Sequence, residues 1–266
     1  MPAQSKPALL LAPALLVAGF LLLPVAAIFW KVLPQEEAWS TLQQPLVTQA
    51  LRLSGLTSLL SLVLALVCGT PMAYLLARYR FPGAALLDTL IDLPMVLPPT
   101  VAGVALLMAF GRRGLVGAWL DSLGIQLGFT TAAVVLAQSF VAAPFYIRAA
   151  RAGFQSIDQE LERVAYTLGH SPFSTFLRIT VPLAFPALLS GAVMAWARAL
   201  GEFGATIMFA GNFLGRTQTM PLAIYTAMES DLPAALMLSA MLIVISFIML
   251  FLVRSLLRRS PFGSYA

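Results

Sequence analysis

Arg198 and Glu202 are opposite charges four residues apart inside a long apolar run. A charge at membrane depth is costly unless it is paired or faces water. At i and i+4 the two can pair on one helix face. Such a pair either locks helix packing or lines a route for a charged solute. Gly201, Gly204 and Ala205 leave room beside it for another helix to approach, and Thr206 closes the stretch. Little else in the chain suggests catalysis. His170 is the sole histidine, so neither a histidine metal cluster nor a histidine-based triad can be assembled, and its place after Gly169 suits a solvated or capping role. The lysines are Lys6 and Lys31, neither preceded by glycine, which excludes a Walker A phosphate loop; any ATP dependence must come from another subunit. Cys68 stands alone, so there is no intrachain disulfide. Asp88 and Asp92 lack the glycine-flanked aspartate of an intramembrane protease and are read as structural groups near an inner span end. No credible nucleophile and base remain for an enzyme.

These residues are carried by a chain built for lipid. Of its 266 residues, 60% are hydrophobic and 10% charged, and the mean hydropathy is +0.89; soluble domains carry about a quarter charged residues. Runs near 8–30, 53–77, 91–111, 131–150, 183–210 and 234–253 each approach the roughly 20 apolar residues that a helical span needs. They lack the strict alternation of a barrel strand. The fold class is therefore all-α, a polytopic protein with about six spans and no separate aqueous domain. The first run is too long for a signal-peptide core and more spans follow, so it reads as an anchor. The third opens with Pro94, Pro98, Pro99 and Thr100. Proline removes backbone donors, so no regular helix is expected through this stretch. Irregular backbone at membrane depth survives only inside protein or beside water. The prolines are expected near the cytoplasmic end, with Thr100 to Val104 facing the bundle.

With the N-terminus inside, ten basic residues fall in cytoplasmic segments: Lys6, Arg78, Arg80, Arg148, Arg151, Arg163, Arg178, Arg254, Arg258 and Arg259. Five fall outside: Lys31, Arg52, Arg112, Arg113 and Arg216. That bias predicts both termini and the 151–182 loop in the cytoplasm. The pI near 9.8 reflects these span-end arginines and implies no nucleic-acid partner. Arg112 and Arg113 either anchor in headgroups or, with Arg216, attract an anion at the outer mouth.

The 151–182 loop contains the main polar interruption, Ser156 to Pro182. Ser156 with Gln159 three residues on resembles a capping box. Leu161, Val164, Ala165 and Leu168 then recur at i, i+3, i+4 and i+7, one apolar stripe, while Asp158, Glu160, Glu162 and Arg163 keep the rest wet. Gly169 suits the left-handed position past the helix end, and Pro172 stops the helix. The stripe is read as a docking face for a partner, or as a helix lying on the membrane or on its own bundle.

Glu162-Arg-Val-Ala-Tyr-Thr-Leu-Gly169, followed by Ile179-Thr-Val-Pro182, resembles the EAA motif of permease subunits of binding-protein-dependent ABC importers. Gly169, Ile179 and Pro182 fit its spacing. Arg163 stands where the usual glutamate would be, Val164 replaces the first alanine and Val181 a leucine. Ala197 to Thr206, Gly211-Asn212, Gly215 to Pro221 and Leu93 to Pro99 resemble permeases for tetrahedral oxyanions, closest to those for molybdate. The resemblance covers roughly residues 45–255. It implies a type I importer permease of the inner membrane, in a single domain with an additional N-terminal span. Glu162, Arg163, Val164, Ala165, Leu168, Gly169, Ile179 and Pro182 would couple it to two cytoplasmic ATPase subunits, which alone bind ATP and magnesium. Pro98, Pro99, Thr100, Arg198, Gly201, Glu202, Gly204 and Thr206 would lie on the translocation route or its dimer seam. The partners implied are an oxyanion-binding protein outside the membrane and a second permease copy, with no cofactor or metal in this chain. Alternatives are a tungstate or sulfate/thiosulfate permease, or a transporter driven by an ion gradient, which would place titratable groups at mid-membrane.

Overall fold

A computed structural model describes residues 7–34 and 44–259. Lys6, residues 35–43 and the chain ends lie outside the described residues. The helices are α1 (Pro7–Val32), α2 (Pro45–Arg78), α3 (Ala84–Val96), α4 (Pro99–Phe110), α5 (Gly117–Ser122), α6 (Thr131–Gln155), α7 (Gln159–Thr167), α8 (Pro172–Thr175), α9 (Val181–Leu200), α10 (Gly204–Ala210), α11 (Met220–Ser230) and α12 (Leu232–Arg259). A single π-helical turn, Phe176–Thr180, joins α8 to α9. Among the described residues, five segments are long and apolar enough to cross a bilayer, and a sixth is reached if the bent pair α3–α4 is one span.

α6 packs against α2 and α9 along its length. The contact is made largely by small side chains, with Ala65, Ala73, Ala142, Ala150, Ala184, Ala195 and Ala199 around Tyr146 and Phe154. Lipid is as apolar as leucine, so spans associate through close packing and hydrogen bonds. α2 supplies the hydrogen bonds from Ser54, Ser58 and Ser61, which are buried on one face with Thr57, whose own hydroxyl bonds back to the Leu53 carbonyl. Trp196 Nε1 donates to Ser58 Oγ (2.9 Å), Ser61 Oγ donates to the Val135 carbonyl (3.0 Å), and the Met220 amide donates to Ser54 Oγ (2.7 Å). This seam ties α2 to α6, α9 and α11. Among the described residues, α1 packs chiefly on α12, where Ile28, Phe29 and Val32 meet Met237, Ala240 and Met241.

Two expectations for the spans need correction. A regular helix does run through Pro94, which is buried within α3. The interruption falls at Leu97 and Pro98, each of which precedes a proline and is held extended (ψ 135° and 134°). Pro99 then opens α4, where a missing amide hydrogen costs nothing. The two halves meet at 118°. The run expected at 183–210 instead begins at Pro172 and stops at Leu200, with α10 following after a break.

Candidate functional site: the 151–182 loop and the interrupted helices

Ser156 does not begin the polar helix. It terminates α6, donating its hydroxyl to the Gly153 carbonyl (2.8 Å). α7 is capped by Asp158, whose carboxylate accepts from the Glu160 amide (2.9 Å). The end of α7 is as the residues imply: Gly169 has φ +85°, and the His170 amide returns to the Ala165 carbonyl. His170 is exposed and meets Ser174 through Nδ1 (3.3 Å).

The apolar stripe divides. Leu161 (47%), Val164 (54%) and Leu168 (75%) are exposed, whereas Ala165 (2%) is buried against its own loop. Glu162, expected to be wet, is also buried. Its Oε1 accepts from Arg78 Nη2 (2.8 Å), Arg78 Nε (3.2 Å) and Thr180 Oγ1 (2.9 Å). Arg78 Nη1 further donates to the Ile157 carbonyl (3.3 Å). Arg163 points away and pairs with Glu160 at the surface (2.5 Å).

The Ile179–Pro182 part of the motif has a structural consequence of its own. Pro182 has no amide hydrogen, and the Val181 amide reaches back five residues to Phe176, closing the π turn. That turn contains Ile179 and includes Thr180, which reaches Glu162. Above it Tyr74 packs edge-on against Phe154 (5.5 Å) and Phe176 (4.9 Å), so the ends of α2, α6 and the π turn form one base for α7.

Arg198 and Glu202 do pair, at 2.7 Å, but not along one helix. α9 ends at Leu200, and Glu202 lies in the break with 1% exposure. Its second oxygen accepts the Ala205 amide (2.7 Å), so the carboxylate also caps α10. Small residues allow the close approach expected of them at Gly204 and Ala205. A Cβ at Gly204 would lie 2.6 Å from Pro99 Cβ, and one at Gly103 would lie 2.9 Å from the Ala205 Cα. Gly201 is exposed with no neighbouring helix against it. Thr206 is buried, while Pro98, Pro99 and Thr100 are exposed. Between Thr100 and Val104 only Ala102 and Gly103 are buried, so three of the five residues face away from their own bundle. Gly204→Ala is expected to force α4 and α10 apart, at about 1–3 kcal/mol of overpacking, read as a lower melting temperature of the purified protein.

At the opposite end from α7, Thr131 Oγ1 donates to the Arg216 carbonyl (2.8 Å). Arg112 and Arg216 line one cavity of about 390 Å³, and Arg112 is tied to Asp121 (3.2 Å). Arg52 and Arg216 line another of about 650 Å³. Arg113 lines neither. Sequence reasoning missed α11, the hydroxyl seam of α2 and Arg78 as the partner of Glu162. The seam had a signal, four hydroxyl residues at helical spacing; Arg78 had only its place at a span end.

The sequence profile of the binding-protein-dependent transport system inner membrane component matches residues 65–260. The chain belongs to that family. It is thus a membrane-spanning permease component and not an enzyme. The molybdenum transport system permease protein ModB of Mycobacterium tuberculosis is 41% identical over 263 residues, covering 99% of this chain and 98% of that protein. The sulfate transport system permease protein CysT of Escherichia coli K12 is 34% identical over 252 residues, covering 94% and 90%. Among solved structures, a bacterial ABC transporter involved in the import of the acidic polysaccharide alginate superposes with a TM-score of 0.73 at 17% identity, covering 96% and 95% of the two chains. The permease therefore has the fold of an ABC importer subunit.

Proposed function

We propose that this permease imports molybdate across the inner membrane, powered by ATPase subunits that dock on α7. The observation that carries the cargo is the 41% identity to a molybdenum permease along nearly the whole of both chains. The 34% identity to a sulfate permease makes sulfate the second reading. Docking is supported by the exposed row Leu161, Val164 and Leu168 on a helix whose adjoining face carries the buried Ala165 and Glu162, the latter tied to Arg78 of α2. ATP and magnesium belong to the docked subunits, as this chain has no phosphate loop. The ten-to-five bias of the basic residues supports a cytoplasmic side for α7 and both termini.

The break between α9 and α10 and the bend between α3 and α4 meet where Gly204 touches Pro99. Around this junction Thr100, Val101, Val104, Met194, Gly201 and Met208 are exposed, and the Arg198 side chain keeps 29% of its surface. A second permease copy against this face would enclose a route with Arg198 beside it. Glu202 holds Arg198 in place, and selectivity rests with the binding protein that delivers the anion.

The test is uptake of labelled molybdate into liposomes containing the permease with its ATPase and binding protein. Uptake should require ATP and be displaced by excess tungstate but not by equal sulfate. Sulfate uptake at the molybdate rate would establish the second reading; uptake without ATP would overturn both.

A further inference from the structure

We propose that Asp88, Asp92, Arg148 and Arg151 form a latch that passes movement of the coupling loop to the interrupted helices α4 and α10. The proposal rests on the reading of α7 as the ATPase dock. Arg148 Nε donates to Asp92 Oδ1 (2.5 Å), its Nη2 pairs with Asp92 Oδ2, and its Nη1 lies 3.1 Å from Asp88 Oδ1. Arg151 Nη1 pairs with the same Asp88 oxygen. Two carboxylates at i and i+4 on α3 thus meet two guanidiniums at i and i+3 on α6, each pair on one helix face.

α3 has little other attachment. Pro94 is its only buried residue, and Leu86, Leu90, Leu93, Met95 and Val96 are all exposed. Besides Pro94 and the half-buried Ile91, these charge pairs are what hold the helix to α6. The two helices the latch joins lead to different places. α6 runs on through Ser156 and Ile157, where Arg78 binds, into α7. α3 runs through the 118° bend into α4, whose Pro99 and Gly103 interlock with Gly204 and Ala205 of α10. A push on α7 reaches the cytoplasmic end of α6 first, then the latch, and then the bend. The four side chains keep between 23% and 37% of their surface. Partly solvated ion pairs are cheap to open and re-form, which suits a joint that must move.

The experiment uses the permease assembled with its ATPase and binding protein in liposomes. Asp88→Asn combined with Asp92→Asn should keep membrane insertion, ATPase retention and ATP hydrolysis, while molybdate moved per ATP falls about tenfold. Exchanging charges through Asp92→Arg with Arg148→Asp should restore most of that ratio, which a merely structural role does not predict. An unchanged ratio in the double asparagine variant overturns the latch. So does a loss that comes with lost ATPase and no recovery on exchange. Failure of the docking reading shows separately, as an unmodified permease that does not retain the ATPase, and removes the latch with it.

Discussion

Leu161→Asp combined with Leu168→Asp is expected to release the ATPase and abolish uptake, while the permease inserts and melts as before. Both leucines are exposed in the permease, at 47% and 75%, so the substitution takes nothing from its own packing. An amphipathic helix seated in a groove gains its affinity from such anchors. Burying a leucine contributes about 1.5–3 kcal/mol. Losing two, before counting the cost of desolvating the new carboxylates, is about 4 kcal/mol, or roughly a thousandfold in affinity. Titrating detergent-solubilised permease with the ATPase measures this directly. The contrast is a charge at Ala165: that residue is buried, so Ala165→Asp should damage the loop itself and lower the melting temperature. If the double leucine variant still retains the ATPase at wild-type affinity, α7 is not the dock.

Glu162→Ala should have the largest effect on the permease by itself. It leaves the Arg78 guanidinium, whose side chain is only 6% exposed, without its carboxylate, and it strips Thr180 of its acceptor. Breaking a buried ion pair from one side costs about 3–5 kcal/mol. α7 would then be held by little beyond Ala165 and its chain connections. Thermal unfolding of the purified permease should show a large drop for Glu162→Ala and an equal one for Arg78→Ala. Arg78→Met combined with Glu162→Leu should be milder than either, because no charge is left stranded. Glu162→Ala combined with Arg78→Ala should likewise cost less than the sum of the two single losses, the signature of a direct pair in a double-mutant cycle. Additive losses would show that the two residues act independently.

The sequence by itself determined the apolar runs, the polar loop and the opposite charges at Arg198 and Glu202. In lipid each helix must satisfy its own backbone and keep some 20 apolar residues together, so these features are local and written consecutively. The end of α7 was equally legible, because Gly169 alone supplies the left-handed turn. The tertiary structure decided which polar residues are partners. Glu162 lies among wet neighbours in sequence, yet Arg78, from a helix 84 residues earlier, draws it inside. Asp88 and Asp92 read only as structural groups near a span end until α6 brought Arg148 and Arg151 beside them. The break after Leu200 likewise depends on a neighbour: Glu202 caps α10 while α10 fits against Pro99 and Gly103. Ion pairing and helix interlock between distant segments leave no period along the chain, whereas burial from lipid and capping do.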